Sequence, residues 1–592
     1  MIKNGLYGLV SLSGAPLDRA DCAVLGLAVP DPASPLALSL RDVSGEAADS
    51  GIAVRGDITL AFMGYLDNAP GLAAALGLAA GAEPAMLVQA ALDQWGDAAF
   101  SRLRGDWSLL QFDRGRRVLC LAVSETMRDQ MYVARCGDFV AVAPGATMLA
   151  RLPWVGREFD PLGLICSMAR WSYRRQREGR TFLQNVDAVE CGTALRIHAG
   201  GQARSVFAVQ PDFALWGGSY EDAVAALEAE TRLAIRRQLH RHQSAAVLLS
   251  GGLDSSLLAL LATQEKAPGQ KLFALSSIAR DGSGLHDERE YMRIVGDALG
   301  LEIVYLTPPE DQDAYLPDAR IFAHIEEPVV GQRHYLYDAF YAAGVRTGAT
   351  LLLDGVFGEM TLTRTVNQAT PMGLYRKLRG EAREMVKAAL YPPTWPHEGM
   401  LVTLAAPARA LMVARFGTGP QPLPKVSAAL RPNAPLGYAV QYFKSGKVPT
   451  ATWYPTVRQA YPFRDRALLQ LAARFPSRFT EGEGLPRSLA RAMLRGRLPD
   501  RIAMRTSKDP FSPDFKHRLS TQAATARERL ALHRGNGAGE WVDLKWAEAE
   551  LTALAGGAML VGAEWSRVQS TVIAAEFFTW WAEEARSGPG PV

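Results

Sequence analysis

The chain has 592 residues, 48% hydrophobic and 21% charged, with a formal net charge of +3. This is ordinary globular composition in a chain too long for one core, since single cores stop growing near about 250–300 residues. The near-balance of charge argues against a dedicated nucleic-acid binder, and no stretch approaches the roughly 20 apolar residues that span a membrane.

From the N-terminus, MIKNGLYGLVSLSG lacks the sustained apolar core and cleavage site of a signal peptide. The five cysteines, Cys22, Cys120, Cys136, Cys166 and Cys191, form no CxxC pair. An odd count in a large chain points to reduced thiols and a cytoplasmic setting. Residues 1–212 read mostly as strands and turns, with alternation over Ile58–Phe62, Trp107–Phe112, Arg117–Val123, Phe139–Val142 and Thr193–His198. The Ala/Leu-rich stretch Gly71–Leu92, interrupted at Glu83 and Pro84, reads as helix. The arginines 174, 175, 177 and 180 read as a solvated loop.

Near Trp216 the period changes. Ser219 with Asp222 predicts a capping box, and Val224, Leu227, Ala234 and Ile235 predict a helix to Leu239. Strands and helices then alternate: Ala245–Leu249, LFALSS at 272–277, a helix at 288–300 ending on Gly300, LEIVYL at 301–306, helical text from Asp318 and Tyr335, and ATLLLDGVFGE at 349–359. This rhythm predicts a doubly wound parallel sheet, which binds ligands at the carboxyl ends of its strands. Residues 361–450, rich in Pro, Gly and Arg, read as an insertion acting as a lid or substrate platform. Residues 451–592 read as mainly helical.

The most informative run is AAVLLSGGLDSS, 245–256. An apolar strand meets a Ser-Gly-Gly turn, and Asp254, Ser255 and Ser256 open a helix. Backbone N–H groups of such a turn, with a helix N-terminus behind them, cradle an anion. An acid inside the cradle implies Mg²⁺ between carboxylate and phosphate. The run is not the GxxxxGK[ST] loop that grips terminal phosphates with a lysine. It resembles instead the pyrophosphate loop of ATP pyrophosphatases.

Beyond that loop, the chain resembles the asparagine synthetase class B family. In the first half the resemblance lies in GDITLAFMGYLDN (56–68), RLRGDWSLLQFDRGRRVLCLAVS (102–124) and VDAVECGTALRI (186–197). In the second it lies in LSGGLDSS (249–256), EEP (326–328), LLDGVFGE (352–359), YPFRDRALLQLAARFP (461–476) and LPDRIAMRTSKDPF (498–511). The resemblance implies an N-terminal αββα Ntn-hydrolase-like sandwich over 1–212. Over 213–592 it implies an α/β ATP-pyrophosphatase domain with a doubly wound parallel sheet and a helical C-terminal part.

Departures narrow the reading. The family's glutaminases use an N-terminal cysteine; position 2 here is Ile2, and Cys22 lies too far inside. No glutamine hydrolysis is expected, because that chemistry needs a thiolate. The family pattern at the second loop approximates SG-(E/Y)-G-x-D-E. Val356 stands at the Glu or Tyr base, and Glu359 at the metal-binding Asp. Members lacking the cysteine resemble β-lactam synthetases and lasso-peptide macrolactam synthetases, which join an internal carboxylate to an internal amine. A peptide α-amine, with an ordinary pKa of about 7.7–8.0, needs less help from a base than a β-lactam amide nitrogen. That favours the lasso-peptide cyclase subgroup.

On this resemblance a carboxylate attacks the ATP α-phosphorus, pyrophosphate leaves, and an amine displaces AMP from the acyl-adenylate. Asp254 and Glu359 are expected to hold Mg²⁺. Ser250, Gly251, Gly252, Ser255 and Ser256 would cradle pyrophosphate, and Leu249, Ser276 and Gly355 would contact adenine or ribose. Lys508 matches the catalytic lysine, and Glu327 would bind metal or the incoming ammonium. Expected partners are a precursor peptide, a leader-peptide-binding protein and a transglutaminase-like protease. A small-molecule cyclase, an ammonia-dependent synthetase and a non-catalytic scaffold remain the competing readings. Asp287 and Glu288 read as a helix N-terminus, His240 and His242 as no metal pair, and Phe577, Phe578, Trp580 and Trp581 as core.

Overall fold

A computed structural model describes every residue except 1–2, 29–30, 32, 43–49, 127–128, 170–178, 208–213, 364–399, 417–451, 483–484, 508–510 and 587–592. Ile2, Lys508, Arg174, Arg175, Arg177 and most of the 361–450 insertion therefore lie outside the described residues. Arg180, the described end of that arginine run, pairs with Asp160 at 2.8 Å.

Period-two alternation builds the first half. Its strands are β1 (Gly5–Ser11), β2 (Leu36–Arg41), β3 (Gly51–Arg55), β4 (Ile58–Leu66), β5 (Gly105–Asp113), β6 (Val118–Val123), β7 (Tyr132–Cys136), β8 (Phe139–Ala143), β9 (Val186–Ala188), β10 (Thr193–His198) and β11 (Gly201–Val206). They form two antiparallel sheets, ordered β2-β1-β8-β7-β9 and β11-β10-β6-β5-β4-β3. Val10, Leu110, Leu121, Val142 and Ile197 fill the space between them. The outer face of the second sheet packs Phe62 and Trp107 against Leu72 and Val88 of two helices. The outer face of the first sheet packs Tyr7 and Tyr132 against Leu164 and Ile165, and that core runs on into the second half of the chain. The result is the expected αββα sandwich. The segment 71–92 is two helices, Ala69–Leu76 and Pro84–Trp95, because Gly77 turns left-handed at φ +67° and Pro84 starts the second.

In the second half, β12 (Ser244–Leu248), β13 (Lys271–Ser277), β14 (Ile303–Leu306), β15 (Leu351–Leu353) and β16 (Arg458–Ala460) form an all-parallel sheet ordered β14-β13-β12-β15-β16. Successive crossovers step outward from β12 to β14, then return to β15 on the other side of β12. The switch point therefore lies between β12 and β15, where an open α/β sheet leaves a crevice at its carboxyl edge. Helices cover both faces. Leu227, Leu257 and Met292 pack on one side, and Tyr335, Leu336 and Ile573 on the other.

Local chemistry fixes the helix ends. Ser219 and Asp222 form the predicted capping box of the helix Tyr220–Leu239. The helix Arg289–Leu299 ends on Gly300 at φ +60°. The aromatic quartet is core, with Phe182 edge-on to Phe577 and Trp581. Within 361–450 the described residues are 361–363 and 400–416; in the latter, Met400 bridges to Ala169 and Leu404 to Val542, a helix runs over Ala406–Phe416, and Met400, Val402, Leu404 and Met412 are buried.

Candidate active site

The loops after β12 and β15 meet at the switch point and share a cavity of about 410 Å³. Leu249, Ser250, Gly252, Asp254, Ser255, Gly355 and Glu359 all line it. Sequence positions some 100 residues apart thus converge on the crevice the topology provides.

The first loop is rigid for identifiable reasons. Gly251 has φ +71°, and a Cβ there would fall 2.7 Å from the Tyr291 Cβ. The Ser250 N–H donates to Ser255 Oγ at 3.1 Å, and Ser255 Oγ donates to the Gly252 carbonyl at 3.2 Å. Ser276 Oγ donates to the Leu249 carbonyl at 2.8 Å, and Ser256 is fully buried in the first helical turn. Gly251, Ser256 and Ser276 therefore stand behind the cavity wall, while Ser277 lines it.

Asp254 is seated by the second loop. Thr363 Oγ1 donates to its Oδ1 at 2.6 Å. A Cβ on Gly358 would lie 1.8 Å from the same oxygen, so only glycine lets the two loops close around this carboxylate. Phe357, at the pattern's second glycine, holds φ +79° with a buried ring edge-on to Tyr461. Such strain in a non-glycine residue concentrates at functional loops. Val356, where a base would stand, carries no proton acceptor.

The sequence places Asp354 at the carboxyl edge without a role, and gives no sign of several other lining residues. Asp354 closes β15, is buried, and has its carboxyl pushed up to about 6, first by burial and then by the nearby Glu359 charge. Tyr337 and Phe340 come from the helix His334–Thr347. Arg487 brings a guanidinium to the cavity from a left-handed position, φ +66°. Isolated residues in unpatterned contexts such as LPRS give no signal of this.

Lys508 lies outside the described residues, but both its flanks reach the site. Arg505 Nη1 donates to the Gly251 carbonyl at 2.9 Å, pairs with buried Glu288 and stacks 3.6 Å above Tyr291; Phe511 lines the cavity. Glu288 is thus more than a helix N-terminus. Glu327 is buried and is not among the lining residues. Its neighbour Glu326, at φ +52°, takes the Ala146 N–H at 2.6 Å, the Thr147 hydroxyl at 2.5 Å and Lys3 Nζ at 2.8 Å. The EEP turn ties the two halves together.

The donors suit a magnesium nucleotide. Asp254 and Glu359 supply hard carboxylate oxygens to one cavity. Among the described residues no group of three or more His, Cys, Asp or Glu could by itself hold a metal ion. Mg²⁺ ordinarily takes one or two carboxylates together with substrate phosphates, so this sparse set fits. His240 is exposed and His242 hydrogen-bonds Thr350 at 2.8 Å.

The asparagine synthase family matches residues 226–359 and 451–582, with 360–450 outside the match. No curated protein matches. Similar solved structures include glutamine phosphoribosylpyrophosphate amidotransferase from B. subtilis complexed with ADP and GMP, 11% identical over 52% of this chain and 83% of that one, with a TM-score of 0.24. Another is described as the allosteric regulatory enzyme of purine biosynthesis, 12% identical over 55% and 72%, with a TM-score of 0.23. Neither likeness is close enough to bear on mechanism. By matched sequence the second half of the chain is similar to the asparagine synthase family over residues 226–359 and 451–582.

Proposed function

We propose that this protein is an ATP-dependent, AMP-forming ligase that closes a macrolactam ring in a ribosomal peptide, as lasso-peptide cyclases do. The observation that carries the ligase reading is the convergence of the SGGLDSS and DGVFGE loops on one cavity at the switch point. Asp254 and Glu359 would hold Mg²⁺, which neutralises phosphate charge when bound. The N–H groups around Ser250 to Ser255 would receive pyrophosphate, with Arg487 adding positive charge. Lys508 would stabilise the α-phosphate and then the tetrahedral oxyanion. Glu327, buried beside the domain tie, would act only through its surroundings. Positioning and charge stabilisation suffice for adenylation.

The cyclase reading is supported by the nitrogen source. Cys120 and Cys191 are buried, with thiols pushed up to about 11 by desolvation, and burial also raises Cys22. These three thiols, held protonated, are poor nucleophiles for glutamine. An amine carried by the substrate fills the role, delivered on a precursor peptide with the help of a leader-binding protein and a transglutaminase-like protease.

The test incubates the full chain with ATP, MgCl₂ and synthetic linear peptides bearing a free N-terminal amine and one internal Asp or Glu. The expected result is AMP together with peptide that has lost one water. ADP as product overturns the ligase reading. AMP formed only with ammonia and a free amino acid overturns the peptide reading alone.

A further inference from the structure

We propose that Tyr337 and Asp354 form the proton relay that takes the proton of the attacking amine in the ligation step, a role that rests on the adenylating reading above. Both side chains line the nucleotide cavity, yet they come from different elements, a helix and the end of β15. Tyr337 Oη donates to Asp354 Oδ2 at 3.3 Å. Gln459 Nε2 donates to the same oxygen at 2.7 Å. The Tyr341 hydroxyl donates to the Gln459 carbonyl oxygen, which commits the amide to presenting N–H to Asp354. The Val356 N–H holds Oδ1 at 3.0 Å. The carboxylate is fixed from three sides by neutral donors. Among the described residues no lysine or arginine pairs with it.

The cavity has two other carboxylates, and the proposed chemistry engages both. Asp254 and Glu359 would face the phosphates and metal. That leaves Asp354 as the described lining acid with a proton-transfer partner. The second loop has Val356 where a base would be, so the Tyr337–Asp354 pair would supply what that position lacks.

Reaction balance requires such an acceptor. A neutral amine can attack the acyl-adenylate carbonyl, but its nitrogen then carries a positive charge and must lose a proton before the adduct reverts. As the C–N bond forms, the N–H proton passes to Tyr337 Oη while the Tyr337 proton passes to Asp354 Oδ2. The C–O bond to AMP breaks with its electron pair leaving on the AMP phosphate. The products are the amide, AMP and a protonated Asp354, which returns its proton to water.

The electrostatics agree. Burial pushes Asp354 up to about 6, with Glu359 adding to the rise, so at neutral pH the carboxylate is ionised yet readily protonated. Burial and the Asp354 charge raise the Tyr337 phenol well above its ordinary value, while Arg333 opposes the rise. Tyr337 therefore stays neutral and passes a proton only as it receives one. Arg487 and Asp254 also face this cavity and are present in every variant compared.

The test uses the full chain with ATP, MgCl₂ and a synthetic peptide that wild type cyclises, comparing Asp354→Asn and Tyr337→Phe. Three readings are taken: ATP–pyrophosphate exchange, trapping of the activated carboxyl by hydroxylamine, and macrolactam formation. We expect exchange and trapping to persist while macrolactam formation falls about 10²–10⁴-fold. Ligation should fall in every form as the substrate amine protonates below pH about 8; wild type should fall more steeply below pH about 6, and that additional limb should be absent in Asp354→Asn. Normal ligation in both variants overturns the relay, as does equal loss of exchange and ligation, which marks a merely structural role. No AMP from wild type with any peptide overturns the adenylating reading, and the relay with it.

Discussion

Gly358→Ala puts one methyl group against the carboxylate that is assigned to magnesium. The added Cβ would lie 1.8 Å from Asp254 Oδ1 and 2.6 Å from its Cγ, whereas real Cβ contacts essentially never fall under 3.0 Å. The carboxylate must therefore retreat by more than about 1 Å. Doing so breaks the 2.6 Å hydrogen bond from Thr363, because that hydroxyl belongs to the same loop as the intruding methyl. A displacement of about 1 Å at a positioning group costs on the order of 10²-fold in rate. Thr363→Val removes the hydroxyl without adding bulk; a hydrogen bond to a charged carboxylate is worth about 1.5–3 kcal/mol, so the loss should be roughly 10- to 150-fold. The assay is ATP–pyrophosphate exchange across a magnesium titration, with far-UV circular dichroism as the control for folding. A folded Gly358→Ala protein that exchanges at the wild-type rate would refute the assignment of Asp254.

Arg505→Met strands the buried Glu288 carboxylate and should cost about 3–5 kcal/mol; adding Glu288→Gln should restore part of the lost melting temperature, and strict additivity would deny the pair. Glu326→Gln weakens the grip on Lys3, Thr147 and the Ala146 N–H, so limited proteolysis should separate the two halves faster than in wild type; unchanged cleavage would count against the tie. Asp67 is pushed up to about 6 by burial, against an ordinary value near about 3.9, despite Arg241 and Arg237. The native state thus binds its proton more tightly than the unfolded chain, and stability gained from this group grows as pH falls from about 6 to about 4. Asp67→Asn should raise stability at pH 8 by about 2–3 kcal/mol and add nothing at pH 4; a gain independent of pH would reject that cause.

Much of this was legible because the sequence obeys local rules. The alternation at Thr193–His198 gives β10 with its observed ends, and Ser219 with Asp222 caps the helix they predict. The SGGLDSS string names its own loop, since the glycines, the acid and the helix start each have one chemical use. Other features left no trace. β16 is three residues long and buries Arg458 and Gln459, so no apolar run marks it. Its neighbour β15 is likewise only Leu351–Leu353, shorter than the apolar run around it. Asp354 and Tyr337 are 17 positions apart and meet only because a helix packs across the sheet edge. Arg487 and Glu326 hold left-handed backbone that their residue types do not announce. Pairings made by tertiary packing rather than by period or turn chemistry were the ones hidden.

The central claim is that these two loops hold magnesium ATP for attack at its α-phosphorus. A crystal structure grown with MgCl₂ and a non-hydrolysable ATP analogue tests it most directly. The account predicts β- and γ-phosphates on the Ser250–Ser255 backbone, with magnesium between them and Asp254 and Glu359. Nucleotide bound at any other place in the protein, with this crevice empty, would contradict it.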